Sequence, residues 1–111
     1  MIFLVNICGW IEWMIDSPLA YSYSRYLASP DMLIVPSLVQ RELYKWLHRE
    51  ADRVVALSAI AANQTAAVAQ LDTSLALLAA DITREFKLAM ADAIIYATAH
   101  QYNAKLATGD G

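Results

Sequence analysis

Two short runs, Ile2-Phe3-Leu4-Val5 and Met32-Leu33-Ile34-Val35, are apolar at every position and carry no polar residue to mark a wet face. A strand with one solvated face alternates in polarity, whereas a strand covered on both faces does not. Each run is too short for a buried helix and carries β-branched residues. The pair therefore predicts strands of a parallel sheet held between helices. The first run has no basic segment before it and ends at Asn6, so it reads as a strand and not as a secretion signal. No stretch approaches the ~18 apolar residues of a membrane span. A soluble, cytoplasmic chain with no membrane partner is expected.

Between and beyond these runs the pattern is helical. Cys8 to Met14 predicts a first helix, with Gly9 loosening the turn into it, and a second lies within Ser17 to Leu27, ended by Ser29-Pro30-Asp31. After Pro36, Ser37 can cap a helix and Gln40 completes a capping box. That helix runs at least to Arg49 and its pattern continues to about Ala62, with a break expected near Ala51. Thr65 to Leu71 reads as a third strand. Asp72 then caps a helix through Ala80, Asp81 to Lys87 reads as a loop, Leu88 to Tyr102 as a helix, and Lys105 to Thr108 as a last strand. Strands alternating with helices indicate an α/β fold with right-handed crossovers. At 111 residues and 59% apolar content the chain fits a single domain, 1–111. Charged residues make up only 17%, against ~25% in ordinary soluble domains, so additional apolar surface is expected to meet a partner. The formal charge of −3, from 8 basic and 11 acidic residues, argues against binding driven by bulk charge but leaves room for a local basic stripe. The lone cysteine, Cys8, excludes an internal disulfide; with no histidine beside it, it is expected to be buried.

Carboxylates fall where helix patterning would place apolar groups. On the helix after Pro36, Glu42 lies four residues from both Leu38 and Trp46, among Val39, Leu43 and Leu47. Asp92 lies four residues from both Leu88 and Tyr96, beside Ile95 and Ala99. An inward carboxylate is costly unless paired or bound to a cation, and two in one small domain suggest a shared ion. Asn6 follows the first strand and Asp110 the last. Open parallel sheets bind ligands outside the carboxyl ends of their strands, so Asn6, Glu42, Asp92 and Asp110 can converge there. Oxygen donors alone suit Mg²⁺ or Mn²⁺ better than zinc or copper. Each residue taken singly also has a structural reading: Asp110 as a turn residue, Glu42 as a boundary residue with a buried stem and a wet head.

At these residues the chain resembles the PIN-domain ribonucleases, and within them the VapC-type toxins of bacterial toxin–antitoxin pairs. The segments are Ile2-Phe3-Leu4-Val5-Asn6-Ile7, Val35-Pro36-Ser37-Leu38-Val39-Gln40-Arg41-Glu42, Leu88-Ala89-Met90-Ala91-Asp92-Ala93-Ile94-Ile95-Tyr96 and Lys105-Leu106-Ala107-Thr108-Gly109-Asp110, in family order. The resemblance implies a three-layer α/β/α fold with a central parallel sheet. It also implies a pocket of four acids that binds one or two divalent ions and hydrolyses RNA phosphodiesters. On that reading Glu42, Asp92 and Asp110 hold the metal or its waters, Thr108 orients one of them through its hydroxyl, and Arg41 beside Glu42 meets the substrate. A homodimer and a small antitoxin, one segment of which crosses the acidic pocket, are implied as well. Two departures stand out. Asn6 and Ile7 replace the family's Asp-Thr, and the chain stops at Gly111, where members commonly continue into another strand. The expected consequences are a weakened or inactive copy and a sheet lacking its last strand. The alternative is a PIN-like domain that binds an antitoxin or RNA without cutting.

Arg41, Lys45, Arg49 and Arg53 recur every four residues. They read as a basic stripe for phosphates or an acidic peptide, or as a solvated face with Glu50 and Asp52 interleaved. The solvated face is preferred.

Overall fold

The computed structural model describes residues 1–18 and 20–107. Four strands, β1 (Ile2–Val5), β2 (Leu33–Pro36), β3 (Ala67–Ala69) and β4 (Ala104–Ala107), form one sheet in the order β3-β2-β1-β4. Every pairing is parallel, with Phe3 opposite Leu33 and Lys105, and Val35 opposite Val68. The helices are α1 (Ile7–Met14), α2 (Ala20–Leu27), α3 (Ser37–Glu50), α4 (Arg53–Asn63), α5 (Thr73–Phe86) and α6 (Met90–Gln101), with a 3₁₀ turn at Pro30–Met32. No helix among the described residues is long and apolar enough to cross a membrane.

Both faces of the sheet are covered, as the uniformly apolar runs required. Val5, Leu33, Val35 and Ala107 point to one side, into a core with Trp10, Tyr23, Val39, Leu43, Leu47 and Ala56 from α1 to α4. Leu4, Ile34 and Ala69 point to the other, against Ala99 of α6. Helix α5 packs outside α6 through Leu75, Ala79, Ala93, Ile94 and Ala97. The result is three layers, helices–sheet–helices.

The strand order fixes where a ligand site can form. From β1 the chain steps to β2 and then β3, with its helices on one face; it then returns past β1 to β4, with α5 and α6 on the other. Right-handed crossovers demand that switch of face when the direction of travel reverses. The reversal leaves a crevice at the carboxyl ends of β1 and β4, the usual binding position in open α/β sheets.

Several boundaries differ from the sequence reading for identifiable reasons. Ser37 is not the cap of α3: Pro36 occupies that position with no side-chain hydrogen bond, and Gln40 Nε2 donates instead to Asn63 Oδ1 at 3.0 Å. Gly9 lies inside α1, where a Cβ would come within 2.6 Å of Tyr23 and Val5. It is therefore a packing glycine and not a turn glycine. Residues 81–86 are helical and not a loop: Leu75, Leu78, Ala79 and Ile82 keep one apolar face through the polar letters, and α5 ends only at Lys87, at φ 57°. The break near Ala51 is present, with Asp52 capping α4 through Val55 N–H at 2.8 Å.

Candidate functional site

Asn6 follows β1 and caps α1. Its Oδ1 accepts a hydrogen bond from the Gly9 N–H at 3.1 Å, satisfying one of the donors that a helix start leaves open. Glu42 lies on α3 beside the buried Leu43, at the edge of the apolar face, with its side chain 36% exposed. Asp92 is exposed in the first turn of α6. Because α6 precedes a parallel strand it runs antiparallel to the sheet, and its N-terminus returns to the end where β1 finishes. All three side chains line one cavity of about 210 Å³ at the crevice between β1 and β4, together with Ile7, Cys8, Leu38, Val39, Tyr96 and Leu106.

The two carboxylates differ from their sequence placement. Asp92 is not on an inward face. α6 begins at Met90, so Leu88 precedes the helix and its spacing to Asp92 stacks nothing; the buried face is Ala93, Ile94, Ala97 and Thr98. Glu42 is a boundary residue with a wet head. Neither carboxylate requires a cation to offset burial, and the helix dipole favours an acid at the first turn of α6 in any case. What singles the three residues out is that they line one cavity. Cys8 is exposed, not buried, because it lies in the first turn of a helix whose buried positions are Gly9 and Trp10. Asp110 and Thr108 lie outside the described residues.

Arg41 is engaged with its neighbour: its Nη1 lies 2.5 Å from Glu42 Oε1. With the Arg41 side chain 65% exposed, the pair adds at most about 1 kcal/mol to stability, so the guanidinium can exchange partners at little cost. The rest of the cavity lining is not marked as a site by the sequence, and two of its residues bear on the chemistry. Tyr96, four residues after Asp92, reads in the sequence only as a stripe position, and Ile7 only as a lost hydroxyl.

The sequence matches the family model of the PIN domain over residues 8–111. The chain belongs to the PIN-domain family. The match begins two residues after Asn6, so the departure at position 6 lies just ahead of it. Among solved structures, this PIN domain is similar to a chain of a toxin–antitoxin complex from Klebsiella pneumoniae, at 19% identity and a TM-score of 0.78, covering 94% of this chain and 82% of that one. It is also similar to VapC20 of Mycobacterium tuberculosis, a sarcin–ricin loop cleaving toxin, at 18% identity and a TM-score of 0.73, covering 92% and 84%. No curated protein matches. The PIN resemblance and the three-layer fold are both borne out.

The donors of this PIN domain suit a hard divalent ion: two carboxylates and one amide oxygen, with no thiolate or imidazole required. Among the described residues no cluster of three acids, histidines or cysteines forms a metal group.

Proposed function

We propose that this PIN domain is a divalent-metal-dependent endoribonuclease, the toxin of a toxin–antitoxin pair acting on RNA in the cytoplasm, with its activity reduced by Asn6. The observation that carries this reading is the meeting of Asn6, Glu42 and Asp92 in one cavity at the switch point of the sheet. Glu42 and Asp92 hold Mg²⁺ or Mn²⁺, with Asp110 as the third acid and the Asn6 side-chain oxygen as a neutral fourth donor. Bound there, the ion supplies Lewis acidity, making water a stronger acid and offsetting charge on the phosphate oxygens. In the hydrolysis itself, the water oxygen bonds to phosphorus as the bond to the ribose oxygen breaks. A carboxylate of the cavity takes the water's proton, and the departing oxygen gains one from solvent. Arg41, exchanging from Glu42, and Thr108 steady the phosphate. The Asn6 Oδ1 holds the start of α1 in place through Gly9, which leaves it one lone pair to turn inward.

The two similar structures support an antitoxin partner, since one comes from a toxin–antitoxin complex and the other is a loop-cleaving toxin. A second copy of the chain is the proposed occupant of the apolar groove along α5 and α6, lined by Leu78, Ile82, Phe86 and Tyr96. A second reading, a PIN-like domain that binds antitoxin or RNA without cutting, is favoured by one observation: Asn6 is both uncharged and committed to capping. Incubating the chain with end-labelled single-stranded RNA and Mn²⁺ tests both. The nuclease reading expects slow cleavage, stopped by a chelator and lost in Glu42→Gln and in Asp92→Asn. Cleavage unchanged in both variants overturns the assigned site. No cleavage even after Asn6→Asp leaves the binding-only reading.

A further inference from the structure

The acidic cavity continues into a shallow groove of about 170 Å³ between α1 and α3, and Ile7 and Glu42 line both. Along the groove, α3 presents Lys45, Trp46 and Arg49, facing Ile11 of α1. We infer that this groove binds the sugar–phosphate backbone of single-stranded RNA, with Lys45 and Arg49 as its phosphate contacts and Trp46 as a stacking surface at its wall. The choice of ligand rests on the ribonuclease reading; the groove itself does not.

A chain of net charge −3 whose cavity is lined by two carboxylates repels a polyanion, so attraction has to be local and close to the cavity. This groove is where cations adjoin it. Lys45 and Arg49 lie three and seven residues beyond Glu42, on the same side of the helix and about 6 Å apart along its axis. Lys45 enters no ion pair among the described residues. Arg49 gives only its Nε to Glu50, at 3.0 Å, which leaves the other guanidinium nitrogens for a ligand. Trp46 is half-buried, packed on the core at one side and lining the groove at the other, and an aromatic face accepts any base.

The fold also trims the four-residue basic stripe read from the sequence. Arg41 pairs with Glu42, and α3 ends at Glu50 with Ala51 at φ −128°, ψ −101°. Arg53 starts a new helix and does not line the groove.

The test is binding of a fluorescent single-stranded RNA to the full chain in a chelator, across a range of salt, so that no cleavage is needed. Lys45→Ala with Arg49→Ala is expected to weaken binding roughly tenfold for any sequence. It should also lower the log–log salt slope by about 1.4, at about 0.7 per lost phosphate contact on a single strand. Arg53→Ala is expected to change neither. Thermal unfolding of the double variant checks that the exposed substitutions leave the fold intact. Unchanged affinity and slope in the double variant overturn the inference. So does transfer of the loss to Arg25→Ala with Lys105→Ala, two cations that line a separate cavity beside Phe3 and Tyr26. A polyglutamate peptide that binds through Lys45 and Arg49 while RNA does not overturns it in favour of an acidic peptide. The two claims fail separately. RNA held by Lys45 and Arg49 but never cut, even after Asn6→Asp, removes the nuclease reading alone. RNA cut normally by the double variant, with unaltered binding, removes the groove alone.

Discussion

Gly9 is a helical residue in a place where alanine would ordinarily gain about 1 kcal/mol. Here the added methyl would sit 2.6 Å from the Tyr23 ring and from Val5 Cγ1. Both neighbours are almost fully buried, at 4% and 1% exposed, and cannot swing aside. Overpacking of this kind costs about 1–3 kcal/mol, so the clash outweighs the helix propensity. Gly9→Ala is expected to lower the midpoint of urea unfolding with the slope unchanged; a rise would show that α1 can shift away from α2. The sequence offers no sign of this role, because Tyr23 is fourteen positions away and belongs to another helix. Asp92 illustrates the same limit. Its spacing from Leu88 and Tyr96 is real, but spacing implies a shared face only if all three residues are helical, and Leu88 is not.

Helices α3 and α4 are two elements joined at Ala51 and held together partly by a polar contact. Asn63, at the end of α4, is 3% exposed; its Oδ1 receives the Gln40 amide, and its Nδ2 has no partner among the described residues. Removing the donor strands the acceptor, which costs about 1–3 kcal/mol, whereas replacing both partners with apolar groups can be nearly neutral. Gln40→Leu is therefore expected to be less stable than Gln40→Leu combined with Asn63→Leu. Simple addition of the two single effects in denaturant unfolding would contradict the contact. At this scale the sequence was most informative about element type and least about ends. The two apolar runs, the break near Ala51 and the cap at Asp72 are local signals. The extension of α5 through Arg84 and Glu85 is not, because it depends on Ile82 and Leu78 finding α6.

For the whole molecule, the unpaired apolar surface and the acidic crevice make separate predictions. Phe86 is 62% and Tyr96 50% exposed along the groove of α5 and α6. If a second copy covers them, Phe86→Lys should halve the mass seen by light scattering without loss of helical signal, and an unchanged mass would exclude this face. The parallel sheet between helix layers follows from the alternation of strands and helices, whereas the order β3-β2-β1-β4 and its reversal are seen only in the fold. The rule for parallel sheets places Asn6, Glu42 and Asp92 beyond the carboxyl ends of the strands, and they line one cavity there, although neither carboxylate is buried. What remains decisive is whether the cavity holds a cation at all. An ion that binds only the folded chain must raise its stability, by about 2.7 kcal/mol at one hundred times its dissociation constant. Changes even in groups that merely orient metal ligands typically cost 10–100-fold in affinity, so a charge missing at position 6 should cost at least that much. The measurement is the melting temperature during a Mn²⁺ titration of three proteins. The account predicts a rise in Asn6→Asp at the lowest concentration, a rise in the unaltered chain at least about tenfold higher, and little or none in Asp92→Asn. Identical titrations for all three would contradict it.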